Sequence, residues 1–314
     1  MKICFAAPEN AWGGFLQLIR TALPEHEFVA AGRYEVDSLK GYDVLIPTMT
    51  RITEALLAGS DRLKLIQQCG SGLEGVDIEA ARRRGIPVAN VPTDISGNAD
   101  SVAELGIYIM TGLARNFQGM ARSFAERRIG EPRGMALKGR TVGIVGLGGI
   151  GRALVQRLRG FDVRLIGIKR HEPEKAMKEL GLEWAGGPGD LTHLLGRSDF
   201  VVLCLPVTAE SSNLLNEKTL AAMKKEGFLI NLSRGGLVDR SALEMALATG
   251  QIAGAGLDVY WEEPVDPGDP LFRHNVFTTP HVAGSTDISM QGITNVVAEN
   301  IRRVETGLAL LHTK

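Results

Sequence analysis

The sequence predicts an α/β protein built from two doubly wound parallel-sheet domains with a cleft between them, and three observations carry this prediction. The chain has 314 residues, which is too long for one small core and sufficient for two domains. Short β-branched runs alternate with helical patterns along nearly the whole chain, as is typical of parallel sheets connected by helices. The stretch Asn90–Asp100 is rich in Pro, Gly, Asn and Asp and separates two such series.

The first strand–helix series precedes this stretch. Its predicted strands are Lys2–Ala6, Asp43–Ile46, Lys64–Gln68 and Pro87–Val91. Amphipathic segments such as Ile78–Arg84 lie between them. A long helix is then predicted from about Ser101 to Arg115, because Ser101 and Glu104 have the spacing of a capping box.

The second series begins after Arg140. Its predicted strands are Thr141–Val145, Val163–Ile168, Phe200–Leu205, Phe228–Leu232, Ile252–Val259 and Val276–Thr278. A helix is predicted over Asp239–Ala248, with Asp239 as its N-cap and Gly250 just beyond its end. Ile288–Val304 is predicted as a final helix, which its pattern assigns to neither series.

Composition narrows the classes of partner. The chain has 35 Lys and Arg against 36 Asp and Glu, so no basic excess exists for binding nucleic acid. No apolar run has the length of a membrane span, so no membrane contact is predicted. Cys4, Cys69 and Cys204 lie far apart in apolar runs, which favours reduced thiols and a cytoplasmic location. No two histidines have metal-ligand spacing, so no metal is predicted.

A glycine-rich loop follows the predicted strand Thr141–Val145 and has the pattern Gly-x-Gly-x-x-Gly, with a helical pattern after it. In a Rossmann-like dinucleotide site the first glycine allows a tight turn, the second a close approach of the pyrophosphate, and the third the packing of helix on strand. The helix N-terminus offers unpaired N–H groups to the phosphates. The predicted cofactor-binding residues of this loop are Gly146, Gly148, Gly149, Ile150 and Gly151.

The next strand bears on the choice of cofactor. Such folds place an acidic residue at its end to bind the ribose 2′-hydroxyl. Here the strand ends in Ile168-Lys169-Arg170, with no acid. Two cations at this place favour a 2′-phosphate and therefore NADP(H), although NAD(H) remains possible if Lys169 and Arg170 are only solvated surface charges.

Three further strand ends carry residues suited to hydride chemistry on an oxo acid. Reduction of a ketone needs a proton donor, a cation that polarises the carbonyl and holds the carboxylate, and a partner for the donor. His281, Arg234 and Glu263 fit these roles, and the carboxyl ends of parallel strands face one crevice. The alternatives are that Arg234 is a surface ion-pair residue, that Glu262 is the functional carboxylate, and that His281 is structural.

A second glycine loop, Gln68–Gly75, follows the strand Lys64–Gln68. Successive backbone N–H groups of this loop can form a nest for a substrate carboxylate. An ordinary flexible turn is the alternative interpretation.

At these residues the sequence resembles the D-isomer-specific 2-hydroxyacid dehydrogenase family, and the likeness covers nearly the whole chain. The motifs that carry it are Gly146-Leu147-Gly148-Gly149-Ile150-Gly151, Asn231-Leu232-Ser233-Arg234-Gly235, Leu257-Asp258-Val259 followed by Glu263-Pro264, and Pro280-His281. The resemblance implies an NAD(P)-dependent enzyme that moves a hydride between the cofactor and a small 2-oxo or 2-hydroxy acid of D configuration. Reduction of a glyoxylate- or hydroxypyruvate-type acid fits this class.

The resemblance also implies roles for individual residues. Arg234 binds the substrate, His281 is the acid/base and also contacts the substrate, and Glu263 pairs with His281. Asp258 contacts the nicotinamide carboxamide. Backbone N–H groups of Ser71 and Gly72 bind the substrate carboxylate.

The family's architecture implies a domain plan for this chain. Residues 1–96 and 285–314 form a flavodoxin-like substrate-binding domain, and residues 97–284 form the dinucleotide-binding Rossmann domain. Subunits of the family pair as homodimers through the cofactor domain.

The chain departs from the family pattern at three places. Lys169 replaces the acidic ribose-binding residue. Cys204 stands where many members have histidine before the pair Leu205-Pro206, which contacts the cofactor. Glu74 replaces a small polar residue in the substrate loop.

Two other functions remain open at this point. A non-enzymatic, NAD(P)-sensing regulatory or scaffold protein on the same fold can keep the same residues. Oxidation of phosphite or formate is the other; formate needs no proton transfer from a His–Glu pair, so Glu263 argues against it.

Overall fold

A computed structural model describes residues 1–314, and its contacts divide the chain into two compact units. The first unit comprises Met1–Ser101 and Gly284–Lys314, and the second comprises Val102–Ala283. The borders expected from the resemblance lay after residues 96 and 284. None of the helices combines the length and apolar character that a bilayer crossing requires.

The first unit is built on a five-stranded, wholly parallel sheet with the strand order β2-β1-β3-β4-β5. Its strands are β1 (Lys2–Phe5), β2 (Glu27–Ala30), β3 (Val44–Ile46), β4 (Leu65–Gln67) and β5 (Val88–Ala89). Its helices are α1 (Ala11–Ala22), α2 (Glu54–Ala58), α3 (Ile78–Arg83) and the C-terminal α11 (Asp287–Thr306).

The alternation of side chains along β1 explains why this sheet has helices on both faces. Ile3 and Phe5 join an apolar cluster with residues of α1 and α11, including Leu16 and Val297. Cys4 points to the other face, where a second cluster contains residues of α2 and α3. The final helix, which the sequence pattern left unassigned, therefore packs in the first unit.

The second unit is built on a seven-stranded parallel sheet with the order β12-β11-β10-β9-β6-β7-β8. Its strands are β6 (Thr141–Val145), β7 (Arg164–Ile168), β8 (Trp184–Gly186), β9 (Phe200–Leu203), β10 (Phe228–Asn231), β11 (Gly254–Leu257) and β12 (Val276–Thr278). The helix α4 (Asn98–Ala114) enters this unit from the first, and the others are α5 (Phe117–Ala125), α6 (Gly149–Leu158), α7 (Pro173–Leu180), α8 (Leu191–Arg197), α9 (Glu217–Leu220) and α10 (Arg240–Ala248). The predicted α/β class with two doubly wound parallel sheets is confirmed.

The strand order of the second unit locates a ligand crevice. From β6 the chain continues to β7 on one side and later returns to β9 on the other. Ligands in open parallel sheets bind outside the carboxyl ends of the strands at such a reversal. The glycine loop after β6 and the pair Leu205-Pro206 after β9 lie at this point.

The start of the long helix differs from the sequence prediction. Helix α4 begins at Asn98, so the capping box predicted at Ser101 is wrong. The Ser101 hydroxyl donates to the Gly97 carbonyl four residues earlier and contacts Thr286 at 2.6 Å, which places Ser101 inside the helix. The cap predicted at Asp239 is confirmed, because its carboxylate accepts from the Ala242 N–H at 2.9 Å.

Candidate active site

The glycine loop after β6 has the shape that a dinucleotide requires. Gly146 has a φ of +102°, and a Cβ there would lie 2.5 Å from the Cys204 carbonyl oxygen. A Cβ on Gly151 would overlap the Gly146 carbonyl oxygen, so α6 packs against the loop only with glycine here. A Cβ on Gly148 would meet nothing within 4 Å, which leaves the face of the loop open for a pyrophosphate.

The N-terminus of α6 is available to an anion. Gly148 is its N-cap and carries no side chain, so no side-chain cap occupies the first-turn N–H groups at Gly149, Ile150 and Gly151. The positive end of the helix dipole adds to this preference for phosphate. These residues therefore fit a nicotinamide dinucleotide.

The end of β7 carries the two cations singled out in the sequence. Lys169 is half-buried and its backbone N–H donates to the Gly186 carbonyl at 3.0 Å. Arg170 is exposed. The Thr208 hydroxyl, a backbone N–H and the charge of Arg170 together hold the pKa of Glu210 below its ordinary value. Glu210 thus shares the surroundings of Arg170, a neighbour that sequence reasoning missed.

The loop after β10 fixes Arg234 through a buried asparagine. The Asn231 side chain donates to the Arg234 carbonyl at 2.7 Å and accepts from the Ser233 N–H at 3.1 Å. The Ser233 hydroxyl donates to the Leu203 carbonyl of β9 at 3.1 Å. One guanidinium nitrogen of Arg234 donates to the Ser233 carbonyl at 2.7 Å. Asn231 is the first residue of the motif Asn231–Gly235, but the motif alone does not indicate that its side chain holds the backbone of Arg234.

Glu263 and His281 lie in direct contact. Nδ1 of His281 is 2.6 Å from Oε2 of Glu263, whereas Oε1 accepts from the Tyr260 N–H at 2.8 Å. Burial raises the pKa of Glu263, but the hydrogen bond and charge of His281, the Tyr260 N–H and the charge of Arg234 outweigh it, so the pKa lies below its ordinary value. Glu262, the alternative carboxylate, is exposed.

Asp258, at the end of β11, lies buried beneath the loop that carries His281. Its carboxylate accepts from the Thr279 hydroxyl at 2.7 Å and from the N–H groups of Val282 and Ala283 at 2.9 and 3.1 Å. Burial raises the pKa of Asp258, and these hydrogen bonds counter it only in part. The structure thus places Asp258 in contact with the loop on both sides of His281.

The loop Gln68–Gly75, predicted to bind the substrate carboxylate, lies in the first unit after β4. Ser71 is exposed, and its carbonyl accepts from the buried Asn90 side chain at 2.7 Å. This contact fixes the peptide between Ser71 and Gly72. Asn90 falls within the stretch Asn90–Asp100, which its composition predicts as a linker, and no motif indicates a role for it.

The second unit contains all the predicted site residues except Ser71 and Gly72. Its carboxyl edge brings together Arg234, Glu263 and His281, with the glycine loop and Lys169 on strands of the same sheet.

A family model matches this region. Residues 107–283 match the model for the "D-isomer specific 2-hydroxyacid dehydrogenase, NAD binding domain". The match covers more than half of the chain and most of the second unit.

Two curated proteins illustrate the likeness in sequence. The glyoxylate reductase of Thermococcus litoralis is 36% identical over 279 residues, which cover 85% of this chain and 81% of that protein. The D-3-phosphoglycerate dehydrogenase of Methanocaldococcus jannaschii is 34% identical over 275 residues, which cover 87% of this chain. The chain spans about half of that second relative, at 51% of its length.

Solved structures share the fold and bind either cofactor. The NADPH-dependent glyoxylate/hydroxypyruvate reductase of Sinorhizobium meliloti, in complex with NADP and malonate, aligns with a TM-score of 0.84 and 28% identity, over 100% of this chain and 96% of that one. The NAD-dependent formate dehydrogenase of Staphylococcus aureus, in complex with NAD, aligns with a TM-score of 0.84 and 26% identity. The alignment covers 99% of this chain and 97% of that one.

Proposed function

Because the chain belongs to the D-isomer-specific 2-hydroxyacid dehydrogenase family, we propose that it reduces a small 2-oxo acid of the glyoxylate or hydroxypyruvate type, with NADPH as the preferred hydride donor. As a member of this family it is a nicotinamide-dependent oxidoreductase that transfers a hydride between the cofactor and a small 2-oxo or 2-hydroxy acid. The observation that carries the proposed reaction is the 2.6 Å contact between His281 and Glu263 beside Arg234.

The bound nicotinamide supplies the hydride, and the protein must supply the proton. A carboxylate only accepts hydrogen bonds, so the ionised Glu263 fixes the proton of His281 on Nδ1. Nε2 is then the ring nitrogen that exchanges a proton with the substrate. In reduction, Nε2 of the charged imidazole donates its proton to the carbonyl oxygen of the oxo acid.

Arg234 is proposed to hold the carboxylate of the substrate and to stabilise the negative charge that develops on its carbonyl oxygen. A guanidinium can make two parallel hydrogen bonds to a carboxylate, which an ammonium cannot. Asn231 and Ser233 brace the backbone of Arg234. The guanidinium itself donates to the Ser233 carbonyl at 2.7 Å.

The preference for NADPH rests on the end of β7. The strand ends in Ile168-Lys169-Arg170 and so supplies no acidic residue of its own to accept from the ribose 2′-hydroxyl, whereas Lys169 and Arg170 offer positive charge to a 2′-phosphate. The negative charge of Glu210 partly offsets the positive charge of Arg170. Lys169 is therefore proposed to contribute most to the preference for NADPH, and Arg170 less.

Two substrate contacts are also proposed in the first unit. Ser71 and Gly72 would offer backbone N–H groups to the substrate carboxylate, and the Asn90 contact holds the peptide between them in one orientation. The remaining proposed cofactor contacts are Leu205, Pro206 and Asp258. The three free cysteines fit the cytoplasmic location that the sequence predicts.

A homodimer through the second unit is also proposed. Apolar side chains of α4, α5 and the loop that follows are exposed there, with Phe124 88% and Ile129 98% accessible. Exposed groups of large apolar side chains mark association surfaces. The family resemblance likewise implies association through this unit.

The test is a panel of initial rates on the purified protein. Glyoxylate, hydroxypyruvate, pyruvate and a bulkier 2-oxo acid are each supplied with NADPH and with NADH. We expect turnover of the two small acids, and a fall in kcat of roughly 10²–10⁴ in His281→Asn with unchanged NADPH binding by fluorescence titration.

His274→Asn is the matched control for this test, because His274 precedes β12 at the opposite end of the strand from His281. The control variant should keep the rates of the wild type. Retention of most turnover by His281→Asn would remove His281 from the mechanism, and a lack of turnover of every 2-oxo acid would contradict the proposed substrates.

A further inference from the structure

A cluster of side chains that could ligate a metal lies in the first unit and contains none of the proposed catalytic, substrate-binding or cofactor-binding residues. His26, in the turn between α1 and β2, lies between two glutamates. Its Nε2 is 3.9 Å from a carboxylate oxygen of Glu25 and 3.8 Å from one of Glu305, in the last turn of α11. The three ligating atoms lie within 4.8 Å of one another.

The imidazole is buried and one of its nitrogens lacks a partner. The His26 side chain is 1% exposed, whereas the side chains of Glu25 and Glu305 are 51% and 48% exposed. Nδ1 faces the amino nitrogen of Met1 at 3.3 Å. Nε2 is buried and has no hydrogen-bond partner, since both carboxylates are beyond hydrogen-bond distance. A buried polar atom left in this state is costly, which points to a group that it binds.

We propose that His26, Glu25 and Glu305 bind a divalent transition-metal ion of the Zn²⁺ class, with water at the fourth position. Imidazole nitrogen and carboxylate oxygen are ordinary ligands of Zn²⁺ and lie about 2.0–2.2 Å from the ion. At those bond lengths tetrahedral ligands are roughly 3.3 Å apart. The half-exposed glutamates reach this spacing by rotating towards Nε2, which the buried ring holds in place.

The ion would tie the end of the chain to its beginning. Glu305 lies near the end of α11, and Glu25 and His26 lie just after α1. One contact already joins these elements, because Arg302 donates to the Ala22 carbonyl at 2.9 Å. A ligand that binds only the folded protein raises its stability. The site is thus a structural clip between α1 and α11 and takes no part in hydride transfer.

The experiment titrates Zn²⁺ into EDTA-treated, dialysed protein in competition with a chromophoric chelator, and uses Co²⁺ absorption as a second readout. We expect one equivalent to bind and Tm to rise. Glu305→Gln and His26→Gln should weaken this binding roughly tenfold or more. Glu305→Gln is the decisive variant, because its half-exposed side chain can change without disturbing the core.

Two controls accompany these variants. His193→Gln removes an exposed histidine of the second unit, and Glu299→Gln removes a carboxylate of α11 that pairs with Arg303 at 2.6 Å. Both should bind Zn²⁺ like the wild type, and all four variants should keep the 2-oxo acid turnover of the wild type. Absence of stoichiometric binding, or equal binding by Glu305→Gln and wild type, would overturn the site.

Discussion

At His281 the backbone has a φ of +54°, in the left-handed region that residues with a Cβ seldom occupy. Such a conformation costs on the order of 1–3 kcal/mol and persists where its surroundings enforce it. The carboxylate of Asp258 supplies that enforcement, because it accepts hydrogen bonds from Thr279 on one side and from Val282 and Ala283 on the other. Asp258 is therefore a positioning residue for His281, in addition to its proposed contact with the cofactor.

The choice between Glu263 and Glu262 yields a pH prediction. The pKa of Glu263 is lowered, so its carboxylate is charged at neutral pH and faces Nδ1 of His281 at 2.6 Å. Glu263→Gln removes that charge, and the proton needed for reduction is then lost at lower pH. The alkaline limb of the kcat/KM profile for 2-oxo acid reduction should therefore move to lower pH.

Glu262→Gln is the control for this profile, since Glu262 is exposed and adjacent in sequence. It should leave both limbs in place. If the alkaline limb shifted in Glu262→Gln and stayed in place in Glu263→Gln, then Glu262, and not Glu263, would be the functional carboxylate.

Lys169 carries the prediction about the cofactor. A hydrogen bond to a charged group contributes roughly 1.5–3 kcal/mol, which corresponds to about tenfold or more in affinity. Lys169→Asp should reduce the preference for NADPH over NADH by at least that factor, as measured by separate fluorescence titrations. Lys175→Asp on α7, an exposed cation paired with Glu172, is the matched control. Equal affinities for the two cofactors in the wild type would show that these cations are only surface charges.

At the scale of elements, the accuracy of the strand predictions follows burial and the content of β-branched and aromatic residues. The fully buried β6 was predicted with its observed bounds, Thr141–Val145. The edge strands β2 and β8, each with one buried residue, were missed, whereas the edge strand β12, also with one, was predicted because Val276-Phe277-Thr278 consists only of β-branched and aromatic residues. An edge strand is specified by backbone pairing with its neighbour, which local composition does not record.

Strand β6 is also tied to its neighbour by a carboxylate, which gives a stability prediction. Asp199, just before β9, accepts from the Thr141 N–H at 2.7 Å and from Lys224 at 2.9 Å. Burial raises the pKa of Asp199, but these bonds and the charges of Lys224 and Arg140 lower it below its ordinary value. A lowered pKa in the folded state gives stability that is present above about pH 4 and is lost as the pH falls through the folded value.

Asp199→Asn should therefore lower the free energy of unfolding at neutral pH by roughly 1.5–3 kcal/mol. The difference from wild type should be smaller at about pH 3, because the unfolded carboxylate is then mostly protonated and its charge contributes less to stability. Urea unfolding of both proteins at neutral pH and at about pH 3 measures this difference in the free energy of unfolding. Asp162→Asn, which breaks an exposed pair with Lys138, is the control and should change little. A constant difference at both pH values would rule out the charge as its cause.

Across the whole molecule, the sequence revealed residues that stand in motifs and missed those that act by tertiary contact. Arg234, Glu263 and His281 follow strand ends, so the rule for parallel sheets placed them together. Asn90 has no motif around it, and its contact with Ser71 exists only in the fold. The proximity of His26 and Glu305 is even harder to predict from the sequence, because the two residues lie near opposite ends of the chain.

The last prediction concerns assembly. Phe124 and Ile129 expose large apolar surfaces on the second unit, and burial of one such side chain stabilises by roughly 1.5–3 kcal/mol. A two-fold interface repeats every contact, so a change in each subunit acts twice. The wild type should run at twice its chain mass of 33.8 kDa in light scattering, and the double variant Phe124→Glu, Ile129→Glu should run as a monomer. Ile288→Glu, an exposed apolar residue of the first unit, is the control and should stay dimeric. A monomeric wild type, or a dimeric double variant, would mean that this apolar surface does not join two copies of the chain.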